Sequence, residues 1–118
     1  MIDIELIPQV AERFRALSDA GRLSLLAALQ RGEMSVSELT QATGRTQPNV
    51  SQHLASLSHA GLVRARRQGT RAFYRIADPT ILRICDAVCD GLAAQTGASR
   101  AKAATSRSRV RRRTGGEK

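Results

Sequence analysis

The side chains best suited to chemistry in this chain are amides and hydroxyls rather than a catalytic cluster. Gln47, Asn49, Ser51, Gln52 and Ser56 stand close together. Asn and Gln can meet an adenine edge with two hydrogen bonds at once, and a good pair of this kind discriminates between bases by about 1 to 3 kcal/mol. Around them lie Arg45, Thr46, Arg64, Arg66, Arg67, Arg71 and Arg75, and no aspartate or glutamate occurs from Leu39 to Ala77. Arginines with no acid among them suit phosphate. Each polar position alone is equally what a solvated helix surface carries, and arginines also blunt exposed strand edges. The lack of charge across a whole helix start, beside arginines that no acid neutralises, favours double-stranded DNA as the partner.

Other reactive groups form no comparable set. His53 and His59 lie six residues apart, which on a helix is about 600° of rotation, so they stand about 120° apart and cannot share one ion. His53 borders the apolar stripe of its helix and reads as a packed, hydrogen-bonded side chain; no metal site is expected there. Cys85 and Cys89, at i and i+4, share one helix face. They are either small apolar core residues or a candidate thiol sensor able to take arsenite or a soft metal. No nucleophile has a base histidine beside it, so an enzyme is not expected.

The elements that must position these residues are legible from period and punctuation. Ile7, Val10, Phe14 and Leu17 share one side of a first helix over residues 4–17, and Pro8 is tolerable near its start. Ser18 and Asp19 are cap-type residues for a second helix carrying Leu23, Leu26, Ala27 and Leu29, which Gly32 can end. Ser35 and Glu38 form a capping-box pattern that opens a third helix ending at Gly44. Thr46 as N-cap and Pro48 in the first turn open a fourth, from about Gln47 to Ala60, with Val50, Leu54 and Leu57 inward. That pair is a helix-turn-helix, whose second helix enters the major groove by its N-terminal end.

From Leu62 to Ile76 the period shifts to two: Val63, Ala65, Ala72, Tyr74 and Ile76 alternate with arginines about a turn at Gln68 and Gly69. This hairpin is a wing suited to phosphate contacts. Asp78 and Pro79 then signal a fifth helix carrying Ile81, Leu82, Cys85, Val88, Cys89 and Leu92. The fold class is therefore mainly α with a small β-hairpin, a winged helix-turn-helix.

Composition sets the frame. The chain has 118 residues and a net charge of +9; of its 19 basic and 10 acidic residues, eight and one fall in residues 96–118. Residues 1–95 are expected to form one small DNA-binding and dimerisation domain with a thin core, and residues 96–118 a disordered basic tail. Two cysteines that suggest no disulfide framework, a start with acids at positions 3 and 5, and no long apolar run imply a cytoplasmic protein with no membrane partner.

Three segments, ALSDAGRLSLLAAL, VSELTQATGRTQPNVSQHLASLSHAGLV and RARRQGTRAFYRI, taken in order, resemble the ArsR/SmtB family of winged-helix repressors. The resemblance implies a homodimer joined through the first and fifth helices, an imperfectly palindromic operator, base reading by the fourth helix, and release by an inducer. Where arsenic, lead and cadmium sensors of the family have Cys-Val-Cys, this chain has Ser35, Val36 and Ser37, and residues 79–95 lack the histidines of its zinc and nickel sensors. Cys85 and Cys89 are the thiols left for a sensing role. A different class of function, non-specific or architectural nucleic-acid binding through the wing and tail, is the alternative.

Overall fold

In the computed structural model, which describes residues 1–97, a short 3-10 turn at Ile4–Leu6 leads into helix α1, Ile7–Leu17. Helices α2 (Ala20–Leu29), α3 (Val36–Thr43) and α4 (Gln47–His59) follow. Strands β2 (Val63–Gln68) and β3 (Arg71–Ile76) form the hairpin, and a short β1 (Met34–Ser35) precedes α3. Residues 1–78 form one compact unit, and a second begins at Pro79 with α5, Thr80–Gln95. From residue 98 on, the expected basic tail lies outside the described residues.

The starts and stops have local causes. Helix α2 begins where Asp19, in extended backbone, accepts the Arg22 N–H at 3.0 Å and so satisfies one of the free donors of the first turn. Ser35 and Glu38 close a reciprocal capping box at the start of α3, with bonds of 3.1 and 2.8 Å. Gly44 ends α3 at φ 71°, a left-handed conformation that a side chain would strain, and so makes the tight turn into α4. Thr46 caps α4 by accepting the Asn49 N–H at 3.3 Å. Helix α5 starts at Thr80 with Pro79 in the cap position, one residue later than the Asp78-Pro79 signature places it. The Asp78 carboxylate also accepts from Arg13 on α1.

Within the first unit the core is Leu25, Leu26 and Leu29 of α2, Leu39 of α3, Val50, Leu54 and Leu57 of α4, and Leu62 and Val63 at the root of the hairpin. The inward face read for α4 is thus buried, whereas in α3 Leu39 is buried and Ala42 is exposed. The face read for α1 is not covered: of its stripe only Leu17 is buried, while Ile7, Val10 and Phe14 are exposed, Phe14 to 52%. Leu23 of α2 is exposed as well. An apolar period reports a face that seeks burial, but not whether the same protomer supplies the cover. In α5, Ile81 and Ala93 are buried, whereas Val88 and Leu92 are exposed.

The sheet has the order β1-β3-β2, all antiparallel. Strand β1 adds a third member to the expected hairpin, and two residues are too short to carry an alternation in sequence. The register pairs Arg64 with Arg75, Arg66 with Phe73 and Gln68 with Arg71 on one face, and Val63 with Ile76, Ala65 with Tyr74 and Arg67 with Ala72 on the other. The hairpin arginines Arg64, Arg66, Arg71 and Arg75 therefore share a face, and Arg67 stands on the other.

Candidate nucleic-acid interface

Helix α4 buries Val50, Leu54 and Leu57 and leaves Gln47, Ser51, Gln52 and Ser56 exposed, as a 3.6-residue period requires. Among the described residues the amides of Gln47 and Gln52 carry no hydrogen bond, so both are available to a ligand. Ser56 donates its hydroxyl back to the Gln52 carbonyl at 3.3 Å. Asn49 is half-buried, and its Oδ1 accepts from Arg45 Nη1 at 3.3 Å. Asn49 and Arg45 therefore hold each other at the turn, and Thr46 commits its hydroxyl to the helix cap. The exposed, uncommitted positions narrow to Gln47, Ser51 and Gln52, with Ser56 a turn further on.

The start of α2 fastens this helix from behind. His53 Nε2 lies 3.6 Å from Asp19 Oδ1, an ion-pair separation longer than a hydrogen bond, and its Nδ1 is buried without a partner among the described residues. The expected hydrogen-bonded histidine is thus packed but not hydrogen-bonded. Asp19 is held below the ordinary aspartate value chiefly by the Arg22 N–H, with His53 adding to it. Gly21 permits the approach: a Cβ there would lie 2.6 Å from His53 Nε2 and 2.8 Å from Arg45 Nη1. Neither Gly21 nor its contact with His53 has a sequence signal, since a glycine in a helix start is compatible with many causes.

The hairpin corrects one inference drawn from the acid-free stretch. Glu33 lies outside that stretch, yet it neutralises Arg66: Arg66 Nη2 donates at 2.6 Å and Nε at 3.1 Å to Glu33 Oε1. Pairing of β1 with β3 carries Glu33 to the sheet, which linear spacing does not reveal. Arg66 also donates to Gln68 Oε1 at 3.0 Å, and its guanidinium stands 4.9 Å from the Phe73 ring centroid. Arg71 stacks on the same ring at 5.0 Å. The Arg66 hydrogen bonds hold the Glu33 carboxyl below its ordinary value, and Arg75 contributes. Arg67 makes no polar contact among the described residues and is exposed.

The thiols of Cys85 and Cys89 are half-buried on α5 and are not joined in a disulfide. Burial pushes the Cys85 thiol up, and Cys89 adds to the shift, which disfavours the nucleophilic thiolate. Among the described residues no three His, Cys, Asp or Glu side chains gather to hold a metal ion, and no helix is long and apolar enough to cross a membrane.

Known proteins resemble this chain in sequence and fold. Residues 19–65 match the family described as bacterial regulatory protein, arsR family. The chain is 49% identical to the HTH-type transcriptional regulator KmtR of Mycobacterium tuberculosis over 80 residues, which are 67% of this chain and 62% of KmtR. It therefore spans less than two thirds of that relative's length. It is 38% identical over 80 residues to the biofilm growth-associated repressor of Agrobacterium fabrum, covering 68% of each chain. A solution NMR structure of the homodimeric winged helix-turn-helix DNA-binding domain of a possible ArsR-family transcriptional regulator from Mycobacterium bovis superposes with a TM-score of 0.69 at 36% identity, covering 76% of this chain and 87% of that one. With a winged helix-turn-helix fold, a match to the family over residues 19–65 and 38% identity across 68% of a repressor's length, the chain belongs to the arsR family of bacterial regulatory proteins.

Proposed function

We propose that this protein is a cytoplasmic, sequence-specific transcriptional repressor that binds an imperfectly palindromic DNA operator as a homodimer and leaves it on meeting an inducer. The observation that carries the reading is the start of α4, where Gln47, Ser51 and Gln52 are exposed and uncharged while Val50, Leu54 and Leu57 fix the opposite face in the core. Such a surface can read base edges in the major groove, and the arginines of the hairpin can grip phosphate beside it. Exposed Ile7, Val10 and Phe14 on α1, with Val88 and Leu92 on α5, supply apolar surface for a second copy. The homodimeric relative from Mycobacterium bovis supports that assignment.

For the inducer we propose a thiol-directed agent, arsenite or a soft metal ion, taken by Cys85 and Cys89 of α5. Coordination releases the thiol proton, so the raised Cys85 value opposes capture, and only a strongly thiophilic ion or arsenite binds tightly enough to offset it. The competing reading of the pair is that both cysteines only pack.

The deciding experiment is selection of duplexes from a random-sequence library, followed by affinity for the enriched site against scrambled duplex at fixed salt. A repressor prefers its site by orders of magnitude. Similar affinity for every duplex would instead support architectural binding, the reading favoured by the charge of +9 and its concentration in residues 96–118. Release of the enriched duplex by arsenite, zinc, cadmium or peroxide, compared between the wild type and a Cys85→Ser, Cys89→Ser variant, tests the thiol assignment. Unchanged release in that variant rejects it.

A further inference from the structure

The Glu33–Arg66 contact joins residues 33 apart in sequence and spans the whole sheet. Arg66 lies on β2, its cross-strand neighbour Phe73 on the central strand β3, and Ser35, opposite Phe73, on β1. The Arg66 side chain passes over the Phe73 ring to reach Glu33, just before β1. Three of its N–H directions are engaged, two toward Glu33 and one toward Gln68. Glu33 in turn stands two residues before Ser35, whose hydroxyl and backbone form the capping box of α3. One guanidinium thus ties the outer strand of the wing to the residue that precedes β1, two positions before the capping box that begins the helix-turn-helix.

We propose that Glu33 and Arg66 form a staple that sets the angle of the wing against the helix-turn-helix, so that Arg66 is a positioning residue and the phosphate grip falls to Arg67 and Arg71. This rests on the DNA-binding reading above. Arg67 stands on the opposite face of β2 from Arg66 and makes no polar contact among the described residues, and Arg71 lies next to the hairpin turn, held on one side by the Phe73 ring. A bidentate arginine–carboxylate pair fixes direction as well as distance, which a lysine cannot reproduce. Simple electrostatics predicts the opposite role for Glu33. A carboxylate among arginines lowers the local positive potential, so its removal would tighten DNA binding if Arg66 merely awaited phosphate.

The test uses a duplex that the wild-type full chain enriches from a random-sequence library, with affinity measured across a salt series for Glu33→Gln, Arg66→Gln, Arg66→Lys and the Glu33→Gln, Arg66→Gln pair. The staple predicts that each single variant, the lysine included, weakens binding by about three- to tenfold, and that the double variant is no worse than either glutamine single. The slope of log affinity against log salt stays at the wild-type value in all of them, whereas Arg67→Gln reduces it by about one. Hydrogen exchange without DNA is expected to speed up in β2 and β3 of Glu33→Gln. Tighter binding by Glu33→Gln, a reduced salt slope in Arg66→Gln, or full retention of binding by Arg66→Lys overturns the proposal, because each marks Arg66 as a phosphate contact. If the wild type enriches no duplex, the operator reading fails by itself, and unchanged exchange in Glu33→Gln would then reject the staple separately.

Discussion

At the scale of single residues, the exposed amides of α4 are the proposed base readers. The Gln52 side-chain amide has no hydrogen-bond partner among the described residues, so Gln52→Ala is expected to lose about 1 to 3 kcal/mol of preference at one base position while leaving general affinity for duplex nearly intact. Affinities for a set of single-base variants of the enriched site measure this, and a uniform loss across all of them would place Gln52 among the phosphate contacts instead. Asn49 is as suitable a reader in sequence, but its Oδ1 already accepts from Arg45, a relationship that becomes apparent only once the turn at Gly44 brings the two together. Acid is felt at this scale too. Glu38 is held below its ordinary value chiefly by the Ser35 backbone N–H, as Asp19 is by Arg22 and Glu33 by Arg66. A lowered folded value means that folding favours the carboxylate. The stabilisation is therefore complete above the ordinary values of 4.5 for Glu and 3.8 for Asp, and is lost as pH falls through the lower folded values. Urea unfolding between neutral and acid pH should show stability declining below that range, and less steeply in Glu38→Gln.

At the scale of elements, the recognition helix is held by what lies behind it. Gly21→Ala in α2 places a methyl group 2.6 Å from His53 Nε2, and the packed ring has little room to yield. Overpacking of this kind costs about 1 to 3 kcal/mol, against a gain of about 1 kcal/mol for alanine over glycine in a helix. The expected result is a modest net loss of stability in urea unfolding with a larger loss of operator affinity, as α4 shifts on α2. Equal stability and equal affinity would show that His53 does not set the position of α4.

At the scale of the whole molecule, the exposed stripe on α1 is the feature that a lone protomer does not explain. Phe14→Arg, at a position 52% exposed, should leave the helical content of the protomer unchanged, convert a dimer to a monomer in sedimentation equilibrium, and abolish binding to a two-half-site duplex. A dimer that persists in this variant would exclude α1 from the interface. Under the proposal that the basic charge concentrated in residues 98–118 only grips phosphate, removal of that segment is expected to weaken binding to every duplex alike and lower its salt dependence. A loss confined to the enriched site would assign the segment a part in recognition.

Much of this protein was legible without coordinates, because the interactions concerned are local. The capping box at Ser35 and Glu38, the left-handed Gly44, the Thr46 cap and the inward Val50, Leu54 and Leu57 all follow from neighbours a turn or two away, where period and residue type suffice. The alternation from Val63 to Ile76 likewise announced the hairpin, but Gln68 stays in β2 opposite Arg71 and the turn falls at Gly69 and Thr70, one residue beyond the expected Gln68 and Gly69. What the tertiary structure alone decided is which side chains are already engaged. Glu33 meets Arg66, His53 meets Gly21 and Asp19, and the α1 stripe stays uncovered within the described residues. These contacts join segments far apart in the chain, and their partners are selected by strand pairing and helix packing rather than by spacing.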